Sequence, residues 1–351
     1  MDFEQNDIGA QSTQPEPPEQ TARQAVDAPT EEAARKGTGW RIFWGIILVL
    51  SIMANFVLFL MLIGVVMLFA TGQKRILTEE VIQAGPRSAK IAVIRLEGII
   101  ESEQAKSVAK QLKRAQEDKR VKGVIVRVVS PGGTISGSDQ IHRAISQYRD
   151  EADKPVVAFM QGVAASGGYY VSVACDHIVA EPTTITGSIG VMFGHFVLEK
   201  LLEEKLGIEP VVITAGKRKG WPSMFEPFEQ EQQQYIQDKL IDPAFSRFKQ
   251  VVTEGRPSLT SADVDRLADG SIYWAKEALD EKLIDQLGYL DDAIERVMSL
   301  AGIEKAQVVE YRRPFSWSSF LMMRSRSALE INRTTLYELS TPELLYLWTA
   351  Y

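Results

Sequence analysis

Pro155-Val156-Val157-Ala158-Phe159-Met160-Gln161-Gly162-Val163-Ala164-Ala165-Ser166-Gly167-Gly168-Tyr169-Tyr170 is the stretch whose reading decides the fold. Pro155 to Met160 is a short apolar run rich in β-branched residues, the composition of a strand buried on both faces. An apolar helix follows from Ser166 to Ala174. Steps of this kind, strand into helix, build a parallel sheet. The serine lies in the turn between them. Its alanine and glycine neighbours let the backbone bend sharply and leave a hydroxyl uncovered, as a nucleophile at a strand-to-helix bend requires. The pattern is Ala-x-Ser-x-Gly and lacks the first glycine of the full Gly-x-Ser-x-Gly. A second reading fits the same residues: a glycine-softened turn with the serine as helix N-cap. The stretch alone leaves both open.

The alternation continues on either side. Upstream, Ile91 to Leu96 and Gly123 to Val129 read as strands, and Ser107 to Glu117 and Ser136 to Tyr148 have helical spacing. Downstream, His177 to Ala180 and Pro210 to Thr214 read as strands. Beyond Phe228 the apolar positions Ile236, Leu240, Phe245, Phe248 and Val252 predict one long helix, kinked at Pro243. Another helix begins at Ser261, and a helical turn and short strand are expected between Tyr273 and Asp285. Leu290 to Ala301 closes the regular part. The fold class is therefore α/β, a mostly parallel sheet flanked by helices. The α/β unit is not repeated, so the chain carries one copy.

The rest of the chain divides by composition. Residues 1–39 are rich in Gln, Glu, Pro, Thr and Ala. They read as a disordered acidic tail that cannot offset its chain entropy by burial. Residues 40–70 read as a transmembrane helix: Ile42 to Ala70 carries no charge, and Asn55 is its most polar member. At roughly 1.5 Å per residue this helix spans about 43 Å, more than the ~30 Å hydrocarbon core. A cleaved signal peptide fits poorly, because the tail before the run is long and the run exceeds an h-region. Arg35, Lys36 and Arg41 before the span are nearly balanced by Lys74, Arg75, Arg87 and Lys90 after it, so charge assigns no orientation. Residues 71–302 hold the α/β domain. Residues 303–351 mix Arg312, Arg313, Arg324 and Arg326 with Phe315, Trp317, Phe320 and Met322. They read as a segment docking on that domain or on a neighbouring subunit. A formal charge of -7 argues against nucleic acid as a partner. The single cysteine, Cys175, excludes an intrachain disulfide framework and a cysteine-rich metal site.

A nucleophilic serine needs a base and an oxyanion pocket. None of the three histidines, His142, His177 and His195, has a triad setting, and their spacing forms no metal motif. No cofactor or metal is expected. Lysine is the other base. At pH 7 an ordinary lysine is neutral in about one molecule in two thousand, and burial among apolar groups raises that share. In Ala215-Gly216-Lys217-Arg218-Lys219-Gly220-Trp221-Pro222-Ser223-Met224-Phe225, Lys219 is followed by Trp221, Met224 and Phe225, which would dry it. Lys217 and Arg218 are expected to be solvated. For the oxyanion, Ser130-Pro131-Gly132-Gly133 follows the strand ending at Val129 and opens a helix, leaving backbone amides uncovered. Thr186-Gly187-Ser188-Ile189-Gly190 is a further glycine-lined turn, with a hydroxyl suited to a lysine amine.

One span, then Ser-Pro-Gly-Gly, Ala-Ala-Ser-Gly-Gly-Tyr-Tyr, Thr-Gly-Ser-Ile-Gly-Val and Gly-x-x-Lys in this order resembles the signal peptide peptidase A family in its short, single-domain form. The resemblance runs from about Ala89 to Ala301. It implies a ClpP/crotonase-like fold and a membrane-anchored serine endopeptidase with a Ser-Lys dyad. Its substrates would be cleaved signal peptides or similar apolar peptides. Ser166 matches the nucleophile and Lys219 the general base. Gly133, with Gly132 as the alternative, and Gly167 match the oxyanion-hole amides, and Ser188 matches the lysine-orienting hydroxyl. The family usually has a serine or aspartate directly after the lysine, where this chain has Gly220-Trp221-Pro222, so Lys217 stays as the second candidate. The resemblance also implies an amino terminus in the cytoplasm and a catalytic domain on the periplasmic side of the cytoplasmic membrane. It further implies a homo-oligomeric ring in which serine and lysine meet across subunit boundaries. Two other functions stay open: a related Ser-Lys protease acting on membrane proteins, and a non-catalytic membrane scaffold of the same fold.

Overall fold

In this computed structural model the described residues are 36–70, 77–312 and 344–349. They fall into two units, and the first contributes one described helix, α1 (Lys36–Ala70). Its segment Gly39–Val66 has a mean hydropathy of 2.9 and buries nothing within the protein. Trp40, Phe43 and Trp44 contact one another at its amino-terminal end, an aromatic cluster suited to the headgroup level of a bilayer. Asn55 donates its side-chain amide to the Ser51 carbonyl (2.8 Å), which partly satisfies the one strongly polar group of the run. Most of the acidic tail expected from the sequence, residues 1–35, lies outside the described residues.

The second unit begins with β1 (Thr78–Gln83), β2 (Lys90–Glu97), α2 (Ser102–Glu117), β3 (Val121–Ser130), β4 (Gly132–Thr134) and α3 (Ile135–Ala152). Then come β5 (Val156–Ala165), α4 (Gly167–Ser172), β6 (His177–Ala180), β7 (Ile185–Gly187) and β8 (Met192–Phe193). After a long connection follow α5 (Gln230–Ile236), α6 (Asp242–Gly255), α7 (Ser261–Leu267), β9 (Ile272–Trp274), α8 (Ala275–Asp280), β10 (Gln286–Leu287), α9 (Leu290–Leu300), β11 (Gln307–Arg312) and β12 (Leu344–Leu347). The main sheet has the order β1-β11-β2-β3-β5-β6-β10, with β7 added to β5 and β9 to β7. Only β1 on β11 and β9 on β7 are antiparallel. Strand β2 shows why the sheet must be covered twice: Ala92, Ile94 and Leu96 enter one core, and Ile91 and Val93 the other. Side chains of α2, α3, α4 and α6 fill the first core, and Ala293, Ile294 and Val297 of α9 fill the second. A small antiparallel sheet, β4-β12-β8, stands beside the main one.

The structure departs from several expectations. Pro210 to Thr214 is not a strand; Val211 and Ile213 are 78% and 94% exposed, and branched side chains without a partner strand form no ladder. Pro243 does not kink a long helix. Helix α5 stops at Ile236, a wider π-type turn covers Gln237–Ile241, and Pro243 falls in the first turn of α6, where a missing N–H costs little. Regular structure also continues past Ala301, since β11 inserts between β1 and β2. The helix after Ser166 is only six residues long, and the strand before it reaches Ala165.

Candidate active site

Strand β5 delivers Ser166 to the bend and α4 starts immediately after it. Ser166 has φ 52 and ψ -113, a positive φ that side chains bearing a Cβ seldom adopt. Two bonds hold it there. Its N–H donates to the Gly187 carbonyl (2.8 Å), and its carbonyl accepts from the Tyr170 N–H (2.8 Å). Strand β7 supplies the first of these by pairing parallel to β5, with Ala165 opposite Gly187. The residue is 1% exposed, and among the described residues its hydroxyl makes no hydrogen bond to a histidine, lysine or carboxylate.

The glycines of β4 close on this bend. Gly132 has φ 107, and a Cβ there would meet the Tyr346 carbonyl oxygen at 2.0 Å and the Gly167 nitrogen at 2.8 Å. A Cβ on Gly167 would lie 2.5 Å from Ser138 Oγ and 3.1 Å from the Tyr346 oxygen. Both positions therefore admit only glycine without movement. The Gly132 N–H donates to Ser130 Oγ (3.1 Å), which in turn donates to the Gly98 carbonyl (2.6 Å). That bond occupies the Gly132 amide and leaves Gly133 as the β4 amide facing outward.

What faces Gly133 is the protein's own carboxy-terminal segment. Strand β12 lies antiparallel between β4 and β8, with Tyr346 opposite Gly133 and Leu345 opposite both Thr134 and Met192. The Trp348 N–H donates to the Pro131 carbonyl (2.8 Å). By the two-residue alternation of an antiparallel ladder, Tyr346 and Gly133 are then a pair that exchanges hydrogen bonds. An extended strand thus runs past Ser166 with one carbonyl, that of Tyr346, held against the Gly132–Gly133 and Gly167 backbone. The Tyr346 side chain is fully buried. Its ring stacks on Tyr170 (5.1 Å between centroids) and tilts against Phe248 (4.7 Å), and its hydroxyl donates to the Ala244 carbonyl (2.7 Å).

Ser188 directly follows Gly187, the residue that anchors Ser166, and is itself at φ 49 with its N–H bonded to the Ser271 carbonyl (2.7 Å). The fold therefore gathers Ser166, Gly133 and Gly167 at one bend and sets the turn of Ser188 beside it. It does not bring a lysine there. Lys219 lies in an exposed turn, tied only by its backbone N–H to the Gly216 carbonyl (3.0 Å), and no hydrogen bond joins it to Ser166 among the described residues. Trp221, expected to dry Lys219, serves its neighbours instead: Arg218 lies over the Trp221 and Tyr235 rings, and Lys217 lies over Trp221 and pairs with Glu231 (2.9 Å). The histidines are engaged elsewhere. His142 packs on Tyr170, His177 lies 3.8 Å from Asp285, and His195 bonds to the Ser223 carbonyl. Burial, then the nearby Arg247, hold His142 below the usual histidine range.

Sequence reasoning missed Tyr346, which sits beyond the last regular element it foresaw. The available signal was the apolar run Leu344-Leu345-Tyr346-Leu347, short and strand-like.

Comparison with known proteins bears on the same residues. The model of peptidase family S49 matches residues 149–304, and the Clp protease model matches 78–184. The SppA protein of Enterococcus faecium is 36% identical over 247 residues, 67% of this chain and 71% of the relative. The chloroplastic serine protease SPPA of Arabidopsis thaliana is 34% identical over 235 residues, 66% of this chain and 34% of its own length. Protease 4 of Haemophilus influenzae is 32% identical over 228 residues, covering 63% of this chain and 36% of its own length. A solved ClpP1 mutant from Listeria monocytogenes superposes with a TM-score of 0.40 at 18% identity, over 57% of this chain and 94% of that one.

Proposed function

Because this chain belongs to peptidase family S49, the signal peptide peptidase A family, and is a serine peptidase of ClpP-like fold, we propose that Ser166 is its nucleophile and Lys219 its general base. Ser166 Oγ attacks the carbonyl carbon of an extended peptide, and its proton passes to the Lys219 amine. The amides of Gly133 and Gly167 stabilise the oxyanion, the largest single contribution in most acyl transfers. The lysine returns the proton to the leaving amine, then activates the water that releases the acyl group. Ser188 orients the lysine.

The observation that carries this reading is the position of β12. An extended strand fits the groove by strand addition, and the carbonyl of Tyr346 faces the backbone of the proposed oxyanion glycines beside Ser166. The exposed lysine points to assembly. In the same connection between β8 and α5, Phe196, Leu206, Val211 and Ile213 are exposed by 68%, 58%, 78% and 94%, apolar side chains that suit association. A second copy packed over this loop would carry Lys219 to the neighbour's Ser166 and remove water from its amine, the condition under which a lysine acts as a base near neutral pH. Closed, head-to-tail contacts of this kind generate a ring.

Helix α1 anchors the enzyme in the cytoplasmic membrane with the peptidase unit on the periplasmic side. Its substrates are apolar peptides left at the membrane, cleaved signal peptides among them. A fluorophosphonate probe tests the site. It should label Ser166 in the wild type, leave Ser166→Ala unlabelled, and react with Lys219→Ala at least about a hundredfold more slowly. Labelling of another residue, or an undiminished rate in the lysine variant, would overturn the pair.

A further inference from the structure

The pocket that takes the Tyr346 ring is assembled from helices that do not follow one another in the chain. Tyr170 comes from α4, four residues after Ser166; Phe248 and the Ala244 carbonyl come from α6. One side chain on a third helix joins them. Asp139 of α3 accepts a hydrogen bond from Tyr170 Oη (2.6 Å) and lies 3.4 Å from Arg247 Nη2. Arg247 directly precedes Phe248 and stands three residues after Ala244. A single carboxylate oxygen therefore spans the two walls that grip the ring. Burial, then the bond to Asp139, push the Tyr170 hydroxyl well above the usual tyrosine range, so the phenol stays the donor in this bond. Asp139 and Arg247 also line a cavity of about 520 Å³ with Thr134, Ile135, Ser136 and Leu344. Leu344 is two residues before Tyr346 and on the same face of the strand. The pair thus stands between two places where alternate side chains of a bound strand enter.

We propose that Asp139 is a positioning residue for side-chain selection: by holding Tyr170 and Arg247 it fixes the spacing of the aromatic pocket. The pocket then selects a large aromatic side chain on the substrate residue whose carbonyl enters the glycine amides. This rests on the peptidase site described above. The physical logic is that of any close-fitting pocket. Two aromatic walls held at fixed separation reward a ring between them with stacking contacts, and a wall free to swing loses that reward.

The test uses the full chain and two peptides that differ only at the residue before the cleaved bond, tyrosine in one and alanine in the other. Tyr346 competes with both peptides alike, so the ratio of their kcat/KM values does not depend on how much of the groove it fills. In Asp139→Ala the tyrosine-to-alanine ratio should fall about tenfold, the change lying in KM for the tyrosine peptide. Tyr170→Phe removes one oxygen and keeps the ring, so it leaves the pocket lined. It should reproduce most of the same fall, and the double variant should add little to either single one. A second readout needs no turnover: amide exchange at Leu344 to Leu347 should quicken in both variants. Unchanged ratios in Asp139→Ala and Tyr170→Phe, additive losses in the double variant, or equal losses for both peptides would overturn the proposal. Failure of the nucleophile assignment shows separately, as turnover that survives Ser166→Ala.

Discussion

The bend at Ser166 and the turn at Lys219 are the two halves of one proposed site, and they are built in opposite ways. Ser166 is buried, fixed through both of its backbone groups, and hemmed by glycines that no other residue can replace without movement. Lys219 is exposed and held by one backbone bond in a loop whose apolar side chains face outward. The contrast teaches where each half gets its order. The nucleophile half is organised by the parallel sheet of a single chain, whereas the base half, in the proposed assembly, would take its order from the surface of a second copy.

The largest effects should come from breaking either half. Ser166→Ala and Lys219→Ala should each lower kcat for peptide hydrolysis by about 10⁴ or more, the scale seen when members of a nucleophile–base unit are removed. Mixing them sharpens the comparison. In a ring assembled from equal amounts of the two inactive chains, about a quarter of the sites would pair an intact serine with an intact lysine, and activity should return to that level. No recovery would place both residues of each site in one chain.

Next in size is Gly132→Ala. The added methyl meets the Tyr346 oxygen and the Gly167 nitrogen, and φ 107 disfavours any side chain. Loss of oxyanion geometry should cost about 10² in kcat, with probe labelling of Ser166 slowed in parallel. A smaller change, and of opposite sign, should follow removal of residues 344–351. If β12 and substrate share the groove, its deletion raises kcat/KM several-fold, by the inverse of the fraction of open grooves. An unchanged value would mean that peptides bind elsewhere.

The smallest expected effect is on stability. Burial lowers both His142 and His177 in the folded protein, so the unfolded chain takes up protons first as pH falls. Their contribution to stability is complete above the ordinary histidine range near about 6.5 and declines as pH drops through the lowered folded values. Urea midpoints measured from pH 7.5 down to 5 should fall, and His142→Gln should flatten that slope.

Much of this was legible in the sequence because it is local. The run from Val156 to Met160, the alanines and glycines around Ser166, and the uncharged stretch from Ile42 to Ala70 each carry their own signal within a single local segment. What was not legible depends on distant partners. Strand β11 is shaped by pairing with β1 and β2, more than two hundred residues earlier, and β12 by pairing with Gly132–Thr134. The run Pro210–Thr214 has better strand composition than β12, yet it finds no partner, because strand propensity measures fit to a neighbour rather than a property of the segment. The surroundings of Lys219 differ from expectation for a related reason. Trp221 follows Lys219 in sequence, but in space it lies against Arg218 and Lys217.

The backbone of Ser166 has one more consequence. A residue with a Cβ held at φ 52 costs the fold about 1–3 kcal/mol that glycine would not incur. Ser166→Gly should therefore give an inert protein that melts later than the active one. Selection for robustness alone would erase this serine, so with Ser166 as the proposed nucleophile its angle is a standing sacrifice of durability to chemistry.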